Sequence, residues 1–181
     1  MASALKPAEH RSGQQRLVLG GMGGVGKTQL AIAFAKQHQH SYDAVLWLNA
    51  TSEAQIRGSI RSMAASLIKS RNLSGYNDES LLNSFCHWLS RPENSRWLLV
   101  LDNYDDPGLY DLRKFLPYTS QGSIIVTTRL TNEVAEKCAC LRIDLRPLDS
   151  VGEAVAVLAT RSGRVISDSG NTCPLCSRHC C

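Results

Sequence analysis

The chain has 181 residues, enough for one domain with a sizeable core but too few for two full domains. Its hydrophobic fraction of 43% and charged fraction of 20% are ordinary for a soluble globular protein, and no apolar run is long enough to cross a membrane. The net charge of +4 lies entirely at the two ends, residues 1–16 and 161–181, so the neutral middle argues against nucleic-acid binding.

Residues 1–15 are polar, lack periodicity and contain no apolar region of the kind found in signal peptides. We therefore expect a flexible N-terminal segment in a cytoplasmic protein. Thiols stay reduced in that compartment, so Cys86, Cys138 and Cys140 are expected to be free and mostly buried.

A glycine-rich loop follows the first predicted strand, residues 16–19. Residues 21–28 read GMGGVGKT, and a helical pattern with Leu30 and Phe34 on one face follows them. This is the pattern G-x-x-x-x-G-K-[ST] between a strand and a helix, the context that a phosphate-binding P-loop requires. Lys27 is expected to reach the β- and γ-phosphates, and the Thr28 hydroxyl to bind Mg²⁺. The predicted nucleotide-binding positions in and after the loop are Gly21, Gly23, Gly24, Val25, Gly26, Lys27, Thr28 and Gln29.

Strands and helices alternate through the rest of the chain. Apolar runs predict strands at 44–48, 97–101, 124–127 and 141–145, and the first two have the composition of strands buried on both faces. Helical spacing predicts helices from a capping box at Ser52, at 79–89, around Val134 and from Ser150. The expected fold is an α/β P-loop NTPase sandwich of three layers, with a five-stranded parallel sheet and helices on both faces.

Polar residues follow the predicted strands at the edge where such sheets bind ligands. Asp102 would hold Mg²⁺ opposite Thr28. Asn103 stands where active ATPases often have a second acid, and it can position water but cannot accept its proton, so fast hydrolysis is not expected. Asp102 and Asn103 are the candidate catalytic residues. Arg129 either senses the γ-phosphate or caps the sheet edge.

Three ordered motifs, at residues 20–31, 97–103 and 122–129, together resemble the NB-ARC nucleotide-binding domain of the STAND class of signalling NTPases, found in fungal and plant NLR-like proteins. The similarity spans residues 14–160. It implies a switch of the innate-immunity type in which ADP holds a closed state and exchange for ATP permits oligomerisation, with at most slow hydrolysis. The preference for adenine over guanine also rests on this resemblance.

We expect residues 16–160 to form the NB-ARC-like domain and residues 161–181 a disordered, cysteine-rich tail. The tail could alternatively be a zinc knuckle with four ligands, Cys173, Cys176, His179 and one of Cys180 and Cys181. The helical and winged-helix subdomains that follow in the family are absent from this chain, which looks like a core cut from a longer protein. Protein partners or self-association would act through flanking domains, and no membrane or nucleic-acid partner is expected.

Two functions remain open at this stage. The set of Lys27, Thr28, Asp102 and Arg129 favours a nucleotide-dependent signalling switch that binds Mg²⁺ with ADP or ATP. Asn103 and the absent subdomains favour a second function, a non-hydrolysing interaction module or decoy fragment that holds nucleotide as a structural ligand.

Overall fold

The computed structural model describes residues 13–67, 75–138 and 140–147. The chain divides into two units, Met1–Arg146 and Pro147–Cys181, and the described residues belong to the first unit except for Pro147. The helix expected from Ser150, the tail at 161–181 with its zinc alternative, and most of the expected N-terminal segment lie outside the described residues.

All five predicted strands are present, within two residues of their predicted bounds. The elements are β1 (Gln15–Gly20), α1 (Lys27–Gln37), β2 (Ala44–Asn49), α2 (Glu53–Leu67), α3 (Asp78–Ser90), β3 (Trp97–Asp102), β4 (Ser123–Thr127), α4 (Thr131–Cys138) and β5 (Leu141–Asp144). Short 3₁₀ turns lie at Gln39–Ser41, Pro92–Asn94 and Leu112–Phe115. Helices follow β1, β2 and β4 as the periodicity predicts, with both α2 and α3 between β2 and β3 and only a 3₁₀ turn in the described residues between β3 and β4.

The strands form one parallel sheet in the order β2-β3-β4-β1-β5. Strand β4 therefore lies between β1 and β3, with Leu19 paired with Thr127 and Val126 paired with Leu101. This order brings the carboxyl ends of β1, β3 and β4 side by side, at the end of the sheet where the parallel strands finish. The loops that carry the candidate site leave the sheet from these three neighbouring ends.

The two faces of the sheet are covered by different helices. Helices α2, α3 and α4 pack on one face, where Leu99, Leu101 and Val126 belong to the same buried cluster as Ile56 and Phe85. Helix α1 packs on the other face, against a smaller cluster of residues from β1, β3 and β4. The predicted three-layer arrangement, with a parallel sheet and helices on both faces, is confirmed.

Strand β2 differs from its predicted environment. Its Leu46 and Leu48 are buried, but Val45 is 41% exposed. The prediction that this strand is buried on both faces is wrong, because β2 is at the edge of the described sheet and α1 packs mainly on β3 and β4. Strand β3 is buried along its whole length, as predicted.

Helices α2 and α3 both begin with side-chain caps. The Ser52 hydroxyl accepts a hydrogen bond from the Gln55 backbone N–H, at 3.3 Å, which confirms the predicted capping residue. Asn77 caps α3 in the same way through the Ser80 backbone N–H, at 2.8 Å. Both caps use short polar side chains, which satisfy N–H groups that the helix itself leaves unpaired.

The three cysteines in the described residues are free thiols, as expected. Cys138 is buried, while Cys86 and Cys140 are half-buried. Burial raises the pKa of Cys86 to about 11, so this thiol stays protonated at neutral pH.

A close approach fixes the position of β1 relative to α4. Gly20, the last residue of β1, lies against Thr131, the first residue of α4, and a Cβ on Gly20 would overlap the Thr131 side chain. Gly20 is also tied to the chain just after β5, because the Leu145 backbone N–H donates to the Gly20 carbonyl at 2.8 Å. The strand that enters the glycine-rich loop is therefore held on both sides.

Candidate functional site

The glycine-rich loop connects β1 to α1 and uses backbone angles that favour glycine. Gly21, Gly24 and Gly26 have φ values of 136°, 78° and 97°. A Cβ on Gly21 would also lie 2.6 Å from the Leu145 carbonyl oxygen. In front of Gly24 and Gly26, by contrast, nothing lies within 4 Å of an added Cβ. The loop thus leaves open space directly before its backbone, beside the N-terminus of α1, as a phosphate cradle requires.

Lys27 is 7% exposed and lies over this loop. Its ammonium group donates hydrogen bonds to the Gly21 and Met22 carbonyl oxygens, at 2.8 and 2.9 Å. Burial lowers the pKa of Lys27 from its ordinary value, an effect that Arg129 reinforces and the carboxylates of Asp105 and Asp102 oppose. In the described part of the chain, the hydrogen bonds of this buried cation go to neutral oxygens, so its charge is available for an anion.

Thr28 and Asp102 are in direct contact, although 74 residues separate them. The Thr28 hydroxyl donates to Asp102 Oδ1 at 2.9 Å, and the Thr127 hydroxyl donates to the same oxygen at 2.6 Å. The Thr127 oxygen in turn accepts the Asn103 backbone N–H at 2.9 Å. Asp102 is 8% exposed, so these hydrogen bonds compensate for burying its carboxylate. A hydroxyl and a carboxylate at this spacing are the hard oxygen donors that Mg²⁺ prefers.

Arg129 lies beside the glycine-rich loop and is paired with Asp105. Its Nε is 3.0 Å from Asp105 Oδ2, and its backbone N–H donates to Asp105 Oδ1 at 2.7 Å. Its guanidinium carbon is 3.5 Å from the position of a Cβ on Gly23. Sequence reasoning missed Asp105. A second carboxylate three residues after the end of an apolar strand was the available signal.

Asn103 has a φ of 66°, a left-handed conformation that asparagine adopts more readily than most residues. It is exposed and borders the same opening as the loop.

Most of the predicted site residues line one cleft of about 240 Å³. Asp102 lies behind this cleft and reaches it through Thr28. Gly21 and Val25 do not line it, and Gly21 instead supplies a carbonyl oxygen to Lys27. The residues that line the cleft are Gly23, Gly24, Gly26, Lys27, Thr28, Gln29, Asn103 and Arg129.

Solved structures of other proteins resemble this fold. The crystal structure of Cdc6p from Pyrobaculum aerophilum matches with a TM-score of 0.61 and 16% sequence identity, covering 90% of this chain and 46% of that chain. The ORC2 protein of Aeropyrum pernix, solved as ADPNP-ADP complexes, matches with a TM-score of 0.54 and 17% identity, covering 89% and 48%. At these identities the likeness establishes the fold alone, and the predicted P-loop NTPase sandwich is confirmed.

The sequence comparisons identify a family. An NLR-like protein of Hyaloscypha variabilis, named as a nucleotide-binding leucine-rich repeat-like protein, is 29% identical over 145 residues, an alignment that covers 70% of this chain and 14% of that protein. The chain therefore spans only a small part of this relative's length. The family model described as the NB-ARC domain matches residues 5–150. The resemblance inferred from the three motifs is thus confirmed, and the chain belongs to the NB-ARC family of nucleotide-binding P-loop domains.

Proposed function

We propose that this domain binds ADP or ATP together with Mg²⁺ and serves as the nucleotide-binding core of a STAND-type signalling switch. The observation that supports the proposal best is the convergence of Lys27, Thr28 and Arg129 on one cleft in front of the glycine-rich loop. Lys27 and Thr28 begin α1, which follows β1, whereas Arg129 follows β4, so a sheet edge built for one phosphate-bearing ligand explains their meeting.

The phosphate chain would lie along the loop backbone. Gly24 and Gly26 leave the space for it, and the N-terminus of α1 adds the positive end of its dipole. Lys27 would exchange its two carbonyl partners for phosphate oxygens. A charge-assisted hydrogen bond is stronger than one to a neutral carbonyl, and a phosphate anion would offset the burial that lowers the pKa of Lys27.

Mg²⁺ would be held by Thr28 and Asp102. The Asp102 carboxylate already receives two hydroxyl donors, which fix the position of its Oδ1 next to the Thr28 hydroxyl. When bound, the ion would supply positive charge that shields the phosphate oxygens. Thr127 then acts as the support that orients Asp102.

The signalling role rests on the family and on the NLR-like relative. In this proposal ADP maintains a resting state, exchange for ATP changes the contacts to flanking domains, and partners or further copies of the protein bind through those domains. A cytoplasmic location fits this role. No helix in the described ranges has both the length and the apolar character needed to cross a bilayer.

Equilibrium titration of the 181-residue chain with fluorescent ADP and ATP analogues tests the proposal. We expect saturable binding that unlabelled ADP and ATP reverse and that an equal concentration of GTP reverses much less. Chelation of Mg²⁺ should weaken ATP binding, since the phosphate charge would then be shielded less. Binding that no nucleotide displaces, or that GTP displaces as well as ATP, would refute the adenine-nucleotide proposal.

Asn103 favours the second candidate function, a module that holds nucleotide without turning it over. Its amide lines the cleft where a general base would be needed. We predict that Asn103→Asp raises the single-turnover rate of ATP hydrolysis about tenfold, well below the ~100-fold or more that an optimised general base contributes. The left-handed backbone tolerates aspartate too.

The Asn103→Gly variant is the matched control for this measurement. Glycine also accepts the backbone angle but supplies no carboxylate, so its rate should stay at the level of the unmodified chain. An increase in the glycine variant, or none in the aspartate variant, would mean that the missing base does not limit turnover.

A further inference from the structure

Arg129, which lines the cleft, forms an ion pair with Asp105, which does not line it. Asp105 uses its two oxygens differently. Oδ1 accepts the Arg129 backbone N–H at 2.7 Å, whereas Oδ2 faces the guanidinium at 3.0 Å. One oxygen therefore holds the backbone after β4, and the other holds the side chain.

From this position the Arg129 guanidinium can contact either Asp105 or a ligand in the cleft. It lies next to Gly23 of the glycine-rich loop and lines the same cleft as Lys27 and Thr28. Asp105 also acts electrostatically on Lys27, since its charge is the largest of those that oppose the lowering of that group's pKa. Asp105 is thus paired with Arg129 and close enough to Lys27 for its charge to act there as well.

We propose that Asp105 competes with the terminal phosphate of a bound nucleotide for the Arg129 side chain, and thereby sets the preference of the site between nucleoside diphosphate and triphosphate. This inference rests on the function proposed above. With a diphosphate, Arg129 stays on Asp105. With a triphosphate, the additional phosphate draws the guanidinium away, while the bond from Asp105 Oδ1 to the Arg129 backbone persists.

The exposure of the pair makes this exchange feasible. The side chains of Arg129 and Asp105 are 65% and 31% exposed. Ion pairs in water are weak, because solvent screens the charges and both side chains lose freedom on pairing. A phosphate offers a higher negative charge and several acceptor oxygens to the planar guanidinium, so it can displace a single carboxylate oxygen.

The Asp105→Asn variant removes the competing charge but keeps an acceptor for the Arg129 backbone N–H. We expect the ratio of ATP to ADP affinity to rise about threefold to fivefold, the range that a weak exposed ion pair allows. Titrations with both nucleotides in Mg²⁺ give this ratio, and thermal unfolding shows whether the variant is folded. Asp106→Asn is the matched control, because it removes the same charge from a neighbouring exposed residue. The Asp106 carboxylate accepts a hydrogen bond from the Gly108 backbone N–H and not from Arg129.

Arg129→Gln tests the same competition from the other side of the ion pair, and it can be measured even if Asp105→Asn fails to fold. This variant should weaken ATP binding more than ADP binding, and adding Asp105→Asn to it should have no further effect on the ratio of the two affinities. An unchanged ratio in Asp105→Asn, an equal rise in Asp106→Asn, or an effect that persists without Arg129 would each overturn the competition. Failure of the unmodified chain to bind either nucleotide would instead overturn the proposed function.

Discussion

Replacing Lys27 with alanine is expected to lower the affinity of the chain for ADP and ATP by about 100-fold, the upper range for losing a hydrogen bond between charged groups. Lys27 is the buried cation of the cleft, and its present partners are two neutral carbonyl oxygens. The variant should keep its fold, because it loses these two hydrogen bonds but no longer buries a charge. Titration with fluorescent nucleotide, combined with circular dichroism, measures both quantities.

Lys36→Ala is the control for this experiment. Lys36 is exposed in the last turn of α1, so its removal changes the net charge equally without touching the cleft. It should alter the affinity by less than about twofold, since charges far from the ligand are screened. Equal affinities for Lys27→Ala and the unmodified chain would show that the nucleotide, if any, binds elsewhere.

Gly122→Ala is expected to lower the free energy of unfolding by at least about 3 kcal/mol, from overpacking and a strained backbone together. Gly122 has a φ of 73°, and an added Cβ would overlap the Trp97 ring. The ring cannot move aside easily, because it is 1% exposed and its Nε1–H donates to the Leu89 carbonyl at 2.9 Å. Urea denaturation followed by tryptophan fluorescence measures the change.

Gly58→Ala provides the contrasting control. Gly58 is exposed inside α2, and nothing lies within 4 Å of an added Cβ there. Alanine should therefore stabilise the protein by about 0.5–1 kcal/mol, through its higher helix propensity. If the two variants had similar free energies of unfolding, neither the Trp97 ring nor the backbone angle would restrict the residue at position 122.

Local sequence patterns were sufficient for much of the fold and the loop. Apolar runs located the strands because burial dictates composition, and the motif with Lys27 located the cradle because few residues other than glycine accept its backbone angles. The order of the strands could not be obtained in this way. Strand order depends on tertiary packing, which a local pattern does not record. An apolar run therefore predicts burial for Val45 whether its strand is central or at the edge of the sheet, and β2 is at the edge, where Val45 is exposed.

The polar contacts behind the cleft were harder to anticipate than the cleft itself. The motif placed Asp102 near Thr28, but the role of Thr127 depends on the pairing of β3 with β4. The pairing of Asp105 with Arg129 depends on the path of the loop after β3, which no periodic pattern encodes. For side chains that act through tertiary contacts of this kind, a single sequence shows only their chemical type and their distance from a strand end.

The contact between Gly20 and Thr131 has a mechanical consequence. Because the Thr131 side chain packs directly on Gly20, where a second side chain would not fit, close packing resists sliding of the end of β1 against the start of α4. The base of the glycine-rich loop and the helix that follows Arg129 therefore form a single rigid frame. Adjustment to a longer or shorter phosphate chain must then come from rotation of side chains such as Arg129 within that frame, which is a faster motion than any displacement of its backbone.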